Sequence, residues 1–336
     1  MKTVSIVIPC RNEEKYIGRC IDSILSQDYS QDKLSVFVCD GKSTDDTAAI
    51  VHDYAVKYKN VSFLINEKQT TPYALNIGIK ASVTDIVIIV GAHSELRPDY
   101  VSNCVEAFSF GANIGCTGGI IENVYENETA EVIGKAMSSS FGVGNAHFRT
   151  GNKDGFVDTV AFGAYKREVF DKIGFFDEEL IRNQDDEFNY RLLRNGFTIY
   201  LYRKIRSNYF VRASFEKLFK QYEQYGYWKV YVNKKHKAVT TVRQLIPLLF
   251  VLFLILGFFA AFLNILLCEI YLLGLVFYSL ASLYSATKQA SAPKQIVKIM
   301  KAFFILHFSY GLGYLKGIID FFVLQKNIKK EEVLTR

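Results

Sequence analysis

The stretch Val36-Phe37-Val38-Cys39-Asp40-Gly41-Lys42-Ser43-Thr44-Asp45-Asp46-Thr47 decides the fold. An apolar, β-branched run stops at an acidic residue, turns on a glycine and enters a hydroxyl- and aspartate-rich segment, which predicts strand, loop, helix. In open α/β sheets ligands sit beyond the carboxyl ends of the strands. Asp40 is therefore expected to face a binding crevice, where its carboxylate accepts hydrogen bonds from a base N–H or from ribose hydroxyls. The ligand so implied is a nucleotide. The same residues also make an ordinary turn at Asp40-Gly41, with Ser43, Thr44 or Asp45 as a helix N-cap, and the choice rests on the rest of the chain.

Working outward, Val4-Ser5-Ile6-Val7-Ile8 before Pro9 reads as a buried strand, and Asn12-Glu13-Glu14 starts a helix with Ile17, Ile21, Ile24 and Leu25 at helical spacing. A helix is expected from Asp46 to about Tyr58, a third strand over Val61–Ile65, and a helix over Pro72–Ala81. Ile86-Val87-Ile88-Ile89-Val90 is an unbroken apolar run, the mark of a strand buried on both faces, and it ends at Gly91-Ala92-His93-Ser94-Glu95. This alternation predicts an α/β fold with a right-handed, mostly parallel sheet covered by helices.

The 336 residues leave room for one large α/β domain and something else besides. Leu245–Leu267 is a 23-residue run without a charged side chain, long enough to cross a bilayer. The net charge of +6 is modest, and lysines and arginines flank the apolar runs (Lys229, Lys234, Lys235, Lys237, Arg243). They read as membrane-facing anchors, not nucleic-acid contacts. The six cysteines show no CxxC pair and are expected to be buried cytosolic thiols. Lys2 leads straight into a short strand and then to Arg11-Asn12-Glu13-Glu14, unlike a signal peptide. The front domain is therefore expected on the cytoplasmic side of the inner (plasma) membrane.

Several blocks carry a family resemblance. Val4 to Pro9 with Arg11-Asn12-Glu13-Glu14, then Asp40 to Thr47, then Ala74-Leu75-Asn76-Ile77-Gly78 resemble the nucleotide-binding half of the family 2 inverting glycosyltransferases, whose fold is called GT-A. Val157-Asp158-Thr159-Val160-Ala161-Phe162-Gly163-Ala164-Tyr165 and Arg182-Asn183-Gln184-Asp185-Asp186-Glu187-Phe188-Asn189-Tyr190-Arg191-Leu192 resemble the succinoglycan-synthesis subgroup. Together the blocks run in order over residues 3–230. The resemblance implies Asp185 as the base that takes the acceptor hydroxyl's proton, with Asp186 the alternative. A diphosphate leaves without an acid catalyst, unlike the leaving group in glycoside hydrolysis, and an aspartate with an ordinary pKa of about 3.9 is ionised at neutral pH. The same acidic run is also how an ordinary helix start is stabilised, with Glu187–Arg191 an i,i+4 pair.

The resemblance further implies nucleotide contacts from Pro9, Arg11, Glu13, Asp40, Lys68 and His93, and an acceptor side that includes Gly118, Gly119, Gly163, Asp158 and Trp228. Small residues there let a sugar lie against backbone; the alternative is glycines at strand ends and a strand-capping Asp158. Relatives usually end the central strand with Asp-x-Asp, which takes a divalent cation bridging the diphosphate. Here Gly91-Ala92-His93 stands in that place. Mn²⁺ or Mg²⁺ is expected from the family, with His93 as the candidate ligand and Glu95 a possible helper. An imidazole suits Mn²⁺ better than Mg²⁺. Otherwise the metal is held differently, cationic side chains take over, or activity is weak; the alternative for His93 is a residue that fills the crevice wall, hydrogen-bonded to backbone.

Phe197–Tyr202 reads as a strand and a helix is expected from about Phe215. Gln224-Tyr225-Gly226-Tyr227-Trp228 resembles the Gln-x-x-Arg-Trp motif of processive polysaccharide synthases, but Tyr227 replaces the Arg, which counts against processivity. Trp228 is expected on an interfacial helix that also lines the acceptor opening. Leu245–Leu267 and residues 270–287 are expected as a membrane hairpin with Cys268-Glu269 at its tip and Lys288, Lys294, Lys298 and Lys301 on the cytoplasmic side. Ala302–Leu324 is expected as a third membrane segment or, keeping the basic tail inside, a re-entrant or interfacial one, with Lys316 paired to Asp320 and Gly313-x-x-x-Gly317 allowing close helix packing.

The expectation is a catalytic domain over 1–230 and a membrane-associated helical tail over 231–336. It would transfer one sugar from a UDP- or GDP-linked donor to a hydroxyl of a membrane-borne, polyprenyl-diphosphate-linked glycan, in cell-surface or exopolysaccharide synthesis, as an oligomer or within an assembly complex. A processive synthase, a polyprenyl-phosphate sugar transferase and a non-catalytic nucleotide-sugar-binding scaffold are the alternatives, the last kept open by Gly91.

Overall fold

The computed structural model describes residues 1–151, 153–211 and 214–326. Contacts divide these into two compact units, Met1–Asn123 with His147–Phe210, and Val124–Ala146 with the chain from Val211 onward. By contact the second unit thus begins upstream of residue 230 and also takes in residues 124–146.

The first unit opens with β1 (Val4–Cys10), α1 (Ile17–Leu25), β2 (Leu34–Asp40), α2 (Thr47–Lys57), β3 (Val61–Ile65), α3 (Thr71–Ala81) and β4 (Ile86–Ile89). β3-β2-β1-β4 lie side by side and all three ladders are parallel. Val4, Ile6, Val7, Ile8, Val87 and Ile88 are sealed from solvent, as expected for strands with helices on both faces. α1 buries Ile17, Cys20, Ile21 and Ile24 along one stripe. α3 lies on β1 because residue 78 has no side chain: a Cβ there would stand 2.4 Å from Val7. Asn76 of α3 bonds in both directions to the Phe176 backbone (2.9 and 3.0 Å) and donates to Glu178 (2.9 Å).

Beyond β4 the sheet changes character. β5 (Ser94–Leu96), α4 (Tyr100–Ala107) and β6 (Ile114–Val124) follow; the chain then contributes α5 (Glu128–Met137) and α6 (Ser140–Val143) to the second unit. α7 (His147–Thr150), β7 (Gly155–Val157), β8 (Ala161–Lys166), α8 (Arg167–Ile173), α9 (Gln184–Arg194) and β9 (Thr198–Phe210) complete the first. The nine-stranded sheet runs β3-β2-β1-β4-β8-β6-β9-β5, with β7 also on β9. β8 is antiparallel to β4 and β6, and β9 is antiparallel to β5 and β7. The sheet is therefore mixed, not mostly parallel. β9 is also 13 residues long, well past the expected end at Tyr202, because its second half pairs with β5, Leu96 opposite Ser207.

The second unit is helical: α5, α6, α10 (Phe215–His236), α11 (Ile246–Ala260), α12 (Ile265–Gln289) and α13 (Pro293–Ile318), the last continuing as a wider turn to Val323. Three stretches, Val242–Ala260, Ile265–Gln289 and Pro293–Val323, are long and apolar enough to cross a membrane, which marks the chain as membrane-associated. The hairpin tip falls at 261–264, not at Cys268-Glu269. The Asn264 side chain accepts from the Leu267 N–H (3.0 Å) and starts α12 there.

Residues 302–318 belong to one unbroken helix from Pro293, so the expected re-entrant fold-back is not what forms. The polar groups of this segment are satisfied within the unit. His307 bonds the Phe141 carbonyl (2.8 Å), Lys316 pairs with Glu223 (3.7 Å), and Asp320 pairs with Lys326 (2.8 Å) instead of Lys316. Gly313 and Gly317 do permit close packing, against α10: added Cβ atoms would stand 1.9 Å from the Glu223 carbonyl oxygen and 2.9 Å from that of Tyr227. Trp228 is buried between the rings of Tyr227 and Tyr231, with centroids 6.0 and 5.9 Å away, not displayed as an interfacial belt residue.

Two glycines of the first unit should respond oppositely to alanine. A Cβ on Gly119 would lie 1.8 Å from the Ile205 carbonyl oxygen, whereas one on Gly18 meets nothing closer than 3.7 Å. Thermal unfolding should show Gly119→Ala destabilised by about 1–3 kcal/mol or more and Gly18→Ala stabilised by roughly 0.5–1 kcal/mol through helix propensity.

Candidate active site

The carboxyl ends of β1, β2 and β3 finish level and feed one set of loops. Cys10 lies opposite Asp40, the Gly41 N–H donates to the Cys10 carbonyl (2.8 Å), and the Asn66 N–H donates to the Asp40 carbonyl (2.7 Å). Asn12 ties the first loop to the second: its N–H donates to Ser43 Oγ (2.9 Å) and its side-chain oxygen accepts from the Thr44 N–H (2.8 Å). The Glu13 N–H donates to Thr47 Oγ1 (2.7 Å). Left-handed backbone at non-glycine residues recurs here, at Asn12, Lys42 and Gln69 after these strands, at Phe162 in β8 and at Asn183 before α9. Such conformations cost of order 1–3 kcal/mol each and persist where surrounding structure imposes them, commonly at ligand sites.

Asp40 is almost wholly buried. Its carboxylate accepts from the Ser43 N–H (3.0 Å), the Ser43 hydroxyl and the Cys10 thiol (3.8 Å). Burial first and the Asp40 charge second push the Cys10 pKa up, so that thiol stays protonated and donates. Asp40 is thus turned into the β2–α2 loop instead of facing an open crevice, and it shapes the loop that carries Lys42 and Ser43. Pro9 sits in β1 opposite Cys39, and Arg11 leaves β1 beside Gly41. Lys68 is exposed on the loop after β3, where its backbone N–H donates to Asn66 (3.2 Å).

After β4, His93 faces Glu13, Nδ1 to Oε1 3.7 Å, and meets the ring of Tyr209 edge-on at 5.3 Å. Glu95 is not available to it, being paired with Arg19 (2.6 Å) and accepting from Asn208 (3.3 Å). Beside Gly91 the space is taken: a Cβ there would lie 3.1 Å from the ring of Phe162. Phe162 is held by its left-handed backbone and by the Tyr100 hydroxyl donating to its carbonyl (2.7 Å). Among the described residues no group of three or more His, Cys, Asp or Glu stands together as an ion-binding set. At the end of β4 the side chains offered are His93 with Glu13 beside it, and residue 91 brings no carboxylate.

α9 is locked into the fold by the residues that follow Asp185. Glu187 is buried and paired with Arg191 (2.6 and 2.9 Å), whose guanidinium also donates to the carbonyls of Ile173 (2.6 Å) and Phe175 (2.8 Å). Phe188 stacks on Phe176 at 4.3 Å, and Asn189 accepts from Tyr165 (3.1 Å) and donates to Thr159 (3.2 Å). Asp185 itself is exposed in the first turn. Its charge reaches Tyr165, whose pKa is pushed well up by burial, then by Cys116, then by Asp185. The bond from Asn189 to Thr159 brings the loop bearing Asp158 to this helix.

The glycines expected to make an acceptor wall are filled by protein. Cβ atoms on Gly118, Gly119 and Gly163 would meet Val160 (2.6 Å), the Ile205 backbone (1.8 Å) and Cys116 with Tyr165 (2.9 Å). They are strand-packing residues, required because β6, β8 and β9 approach closely. Trp228 belongs to the second unit. Sequence reasoning missed Phe162 and Tyr209 as neighbours of Gly91 and His93. The Phe-Gly-Ala block holds the first in plain sight, but no local signal ties Tyr209 to His93.

The mixed sheet, with its parallel half ending in tightened loops and its antiparallel half closing the far side, is an α/β unit of the GT-A type. The family model for glycosyl transferase family 2 matches residues 5–174. The chain belongs to that family and is an inverting glycosyltransferase. It is 31% identical over 326 residues to the dolichyl N-acetyl-alpha-D-glucosaminyl phosphate 3-beta-D-2,3-diacetamido-2,3-dideoxy-beta-D-glucuronosyltransferase of Methanococcus voltae, covering 95% of this chain and 98% of that one. It is 30% identical over 246 residues to the succinoglycan biosynthesis protein ExoA of Rhizobium meliloti, covering 72% and 74% respectively. Among solved structures, a mannosyltransferase from Pyrobaculum calidifontis in complex with GDP-Man and Mn²⁺ aligns with a TM-score of 0.61 at 17% identity over 95% of this chain and 88% of that one, a likeness of fold. Divalent-metal use is thus the family expectation, and the side chains around Gly91 depart from it.

Gly91→Asp alone should lose about 1–3 kcal/mol in thermal unfolding, because the new side chain meets the Phe162 ring. Paired with Phe162→Leu it should recover stability and show a Mn²⁺-dependent rise in melting temperature. A single variant as stable as the parent would show that the ring does not fill this space.

Proposed function

We propose that this glycosyltransferase moves one sugar from a UDP- or GDP-linked donor to a hydroxyl of a lipid-phosphate-linked glycan at the cytoplasmic membrane surface, with Asp185 as base. The observation that carries the reading is the contrast within one helical turn. Asp185 is exposed and Asp186 half-buried, while Glu187, Phe188 and Asn189 after them are buried and engaged. A carboxylate presented on so rigid a platform suits proton abstraction, which demands positioning within hydrogen-bond reach of the hydroxyl. The acceptor oxygen attacks the anomeric carbon from the face opposite the diphosphate, Asp185 receives the hydroxyl proton, and the C–O bond pair departs on the diphosphate oxygen.

A lipid-linked acceptor is supported by the membrane-associated helices and by the named acceptor of the Methanococcus voltae relative, which carries its sugar on dolichyl phosphate. A surface shared by anchor and acceptor raises the local concentration of one for the other. The lysines around the α12–α13 turn support a cytoplasmic placement of that end; Lys294 and Lys298 pair with Glu128 of α5 (3.7 and 2.9 Å). Single transfer is favoured over processive synthesis. Tyr227, at the position of the processive arginine, donates to Asp320 (3.1 Å) and is used in helix packing.

Asp185→Asn should lower turnover by a factor of roughly 10²–10⁴ with donor affinity changed less than about twofold. Transfer of labelled sugar to lipid-linked acceptor and calorimetric donor binding check the two halves. Normal turnover by the variant would remove Asp185 from the mechanism.

A further inference from the structure

Four consecutive residues of α7 carry three buried side-chain polar atoms without a hydrogen-bond partner: His147 Nδ1, Arg149 Nη1 and Thr150 Oγ1. Folded proteins leave only a few such atoms per hundred residues, and each costs roughly 1–3 kcal/mol unless a ligand or water satisfies it. Three in one turn is therefore a signature of something that binds there. Gln184 Oε1, adjacent in sequence to Asp185, is another such atom. Phe148, between His147 and Arg149, packs into the apolar cluster that also holds Tyr165 and Phe188, which anchors α7 beside the β8–α9 part of the site.

Arg149 makes no ion pair among the described residues. Its guanidinium lies over the ring of Tyr209 (5.6 Å), and Tyr209 meets His93 edge-on (5.3 Å). A cation is thus held one ring away from the residue that stands at the family's metal position. There Gly91 offers no carboxylate and Phe162 occupies the space one would need.

Resting on the transfer reaction proposed above, we propose that the His147–Thr150 turn is a phosphate-binding element in which Arg149 binds the donor's diphosphate and neutralises it on departure. This is the task relatives give to a carboxylate-held cation. In the transfer step the anomeric C–O bond breaks toward the diphosphate, which gains the electron pair, while the acceptor oxygen forms the new bond and its proton passes to Asp185. Arg149 neither gains nor loses a proton. Its planar fork donates two parallel hydrogen bonds to phosphate oxygens, which a lysine cannot reproduce. His147 and Thr150 supply further polar contacts from the same turn.

The same phosphate chemistry could come from the acceptor lipid, and the test separates the two. Full-length protein in detergent is titrated with UDP and with GDP in EDTA and with added Mn²⁺, with the parent nucleosides, and with a short polyprenyl phosphate in micelles. Wild type should bind one nucleoside diphosphate in EDTA. Arg149→Gln should bind it at least about tenfold more weakly, with nucleoside affinity unchanged and Arg149→Lys intermediate. Because Arg149 has no ion pair among the described residues and its buried Nη1 is without a partner there, the unliganded Arg149→Gln protein should melt no lower than wild type, while its nucleotide-induced rise in melting temperature disappears.

Equal diphosphate affinity in Arg149→Gln would overturn the assignment. So would loss of polyprenyl-phosphate affinity alone, which would give the turn to the acceptor, and so would wild-type binding that vanishes in EDTA. Failure of wild type to bind either nucleotide under any condition would overturn the donor reading itself, a result distinct from all of these.

Discussion

The β1–β2 register, Cys10 opposite Asp40, is the constraint on which the rest of the catalytic unit depends. It ends two parallel strands at one level, so that Gly41 donates back to Cys10 and Asn66 donates back to Asp40 in the same plane. The loops that follow cross one another, and Asn12 and Lys42 adopt left-handed backbone as they do so. A Cβ at residue 41 would sit in ordinary contact with Arg11, Cys10 and Gln69, each 3.4 Å away, so the loops are closely packed there. Asp40 belongs to this scaffolding. Its two oxygens hold the Ser43 turn, so a slip of one residue between β1 and β2 would unmake the loop.

This explains which parts of the fold were legible in the sequence. Strands buried on both faces read as continuous apolar runs, so β1, β2, β3 and β4 were found close to their true ends. The antiparallel half carries weaker signals. β5 has three residues, and the second half of β9 carries Arg203, Lys204 and Arg206 on exposed positions, a pattern indistinguishable from a charged loop until β5 is placed beside it. Asn264 lies inside an apolar run whose composition hides its capping chemistry, so the hairpin tip falls earlier than the run suggests. The Gly313 and Gly317 spacing marks a close-packing device in the sequence, but only the fold shows that its partner is α10.

Site residues divide along the same line. Asp185 was accessible through the acidic run opening α9, and the structure adds why it is the exposed member: Glu187 is consumed by Arg191 and the carbonyls behind it. Gly118, Gly119 and Gly163 looked like a surface for sugar, yet glycine answers equally to a neighbouring strand, and sequence cannot say which side is filled. Arg149 gave no local signal at all. Its character lies in what is absent around it, a property of three dimensions.

The environment of Arg149 follows from an electrostatic requirement. A carboxylate partner would hold the guanidinium more firmly than an aromatic ring does, but it would also cancel the charge a departing diphosphate needs. The face of Tyr209 restrains the cation through its quadrupole and leaves Nη1 unspent. The arrangement is unfavourable in the resting protein, since a buried donor goes unsatisfied, and it becomes favourable only when phosphate arrives. That is the condition for a group to act on the transition state more than on the free enzyme. Phe162 against Gly91 fits the same logic from the other side: with no carboxylate to admit at the end of β4, the space is better closed with a ring, which excludes water and strengthens the field of a fixed cation nearby.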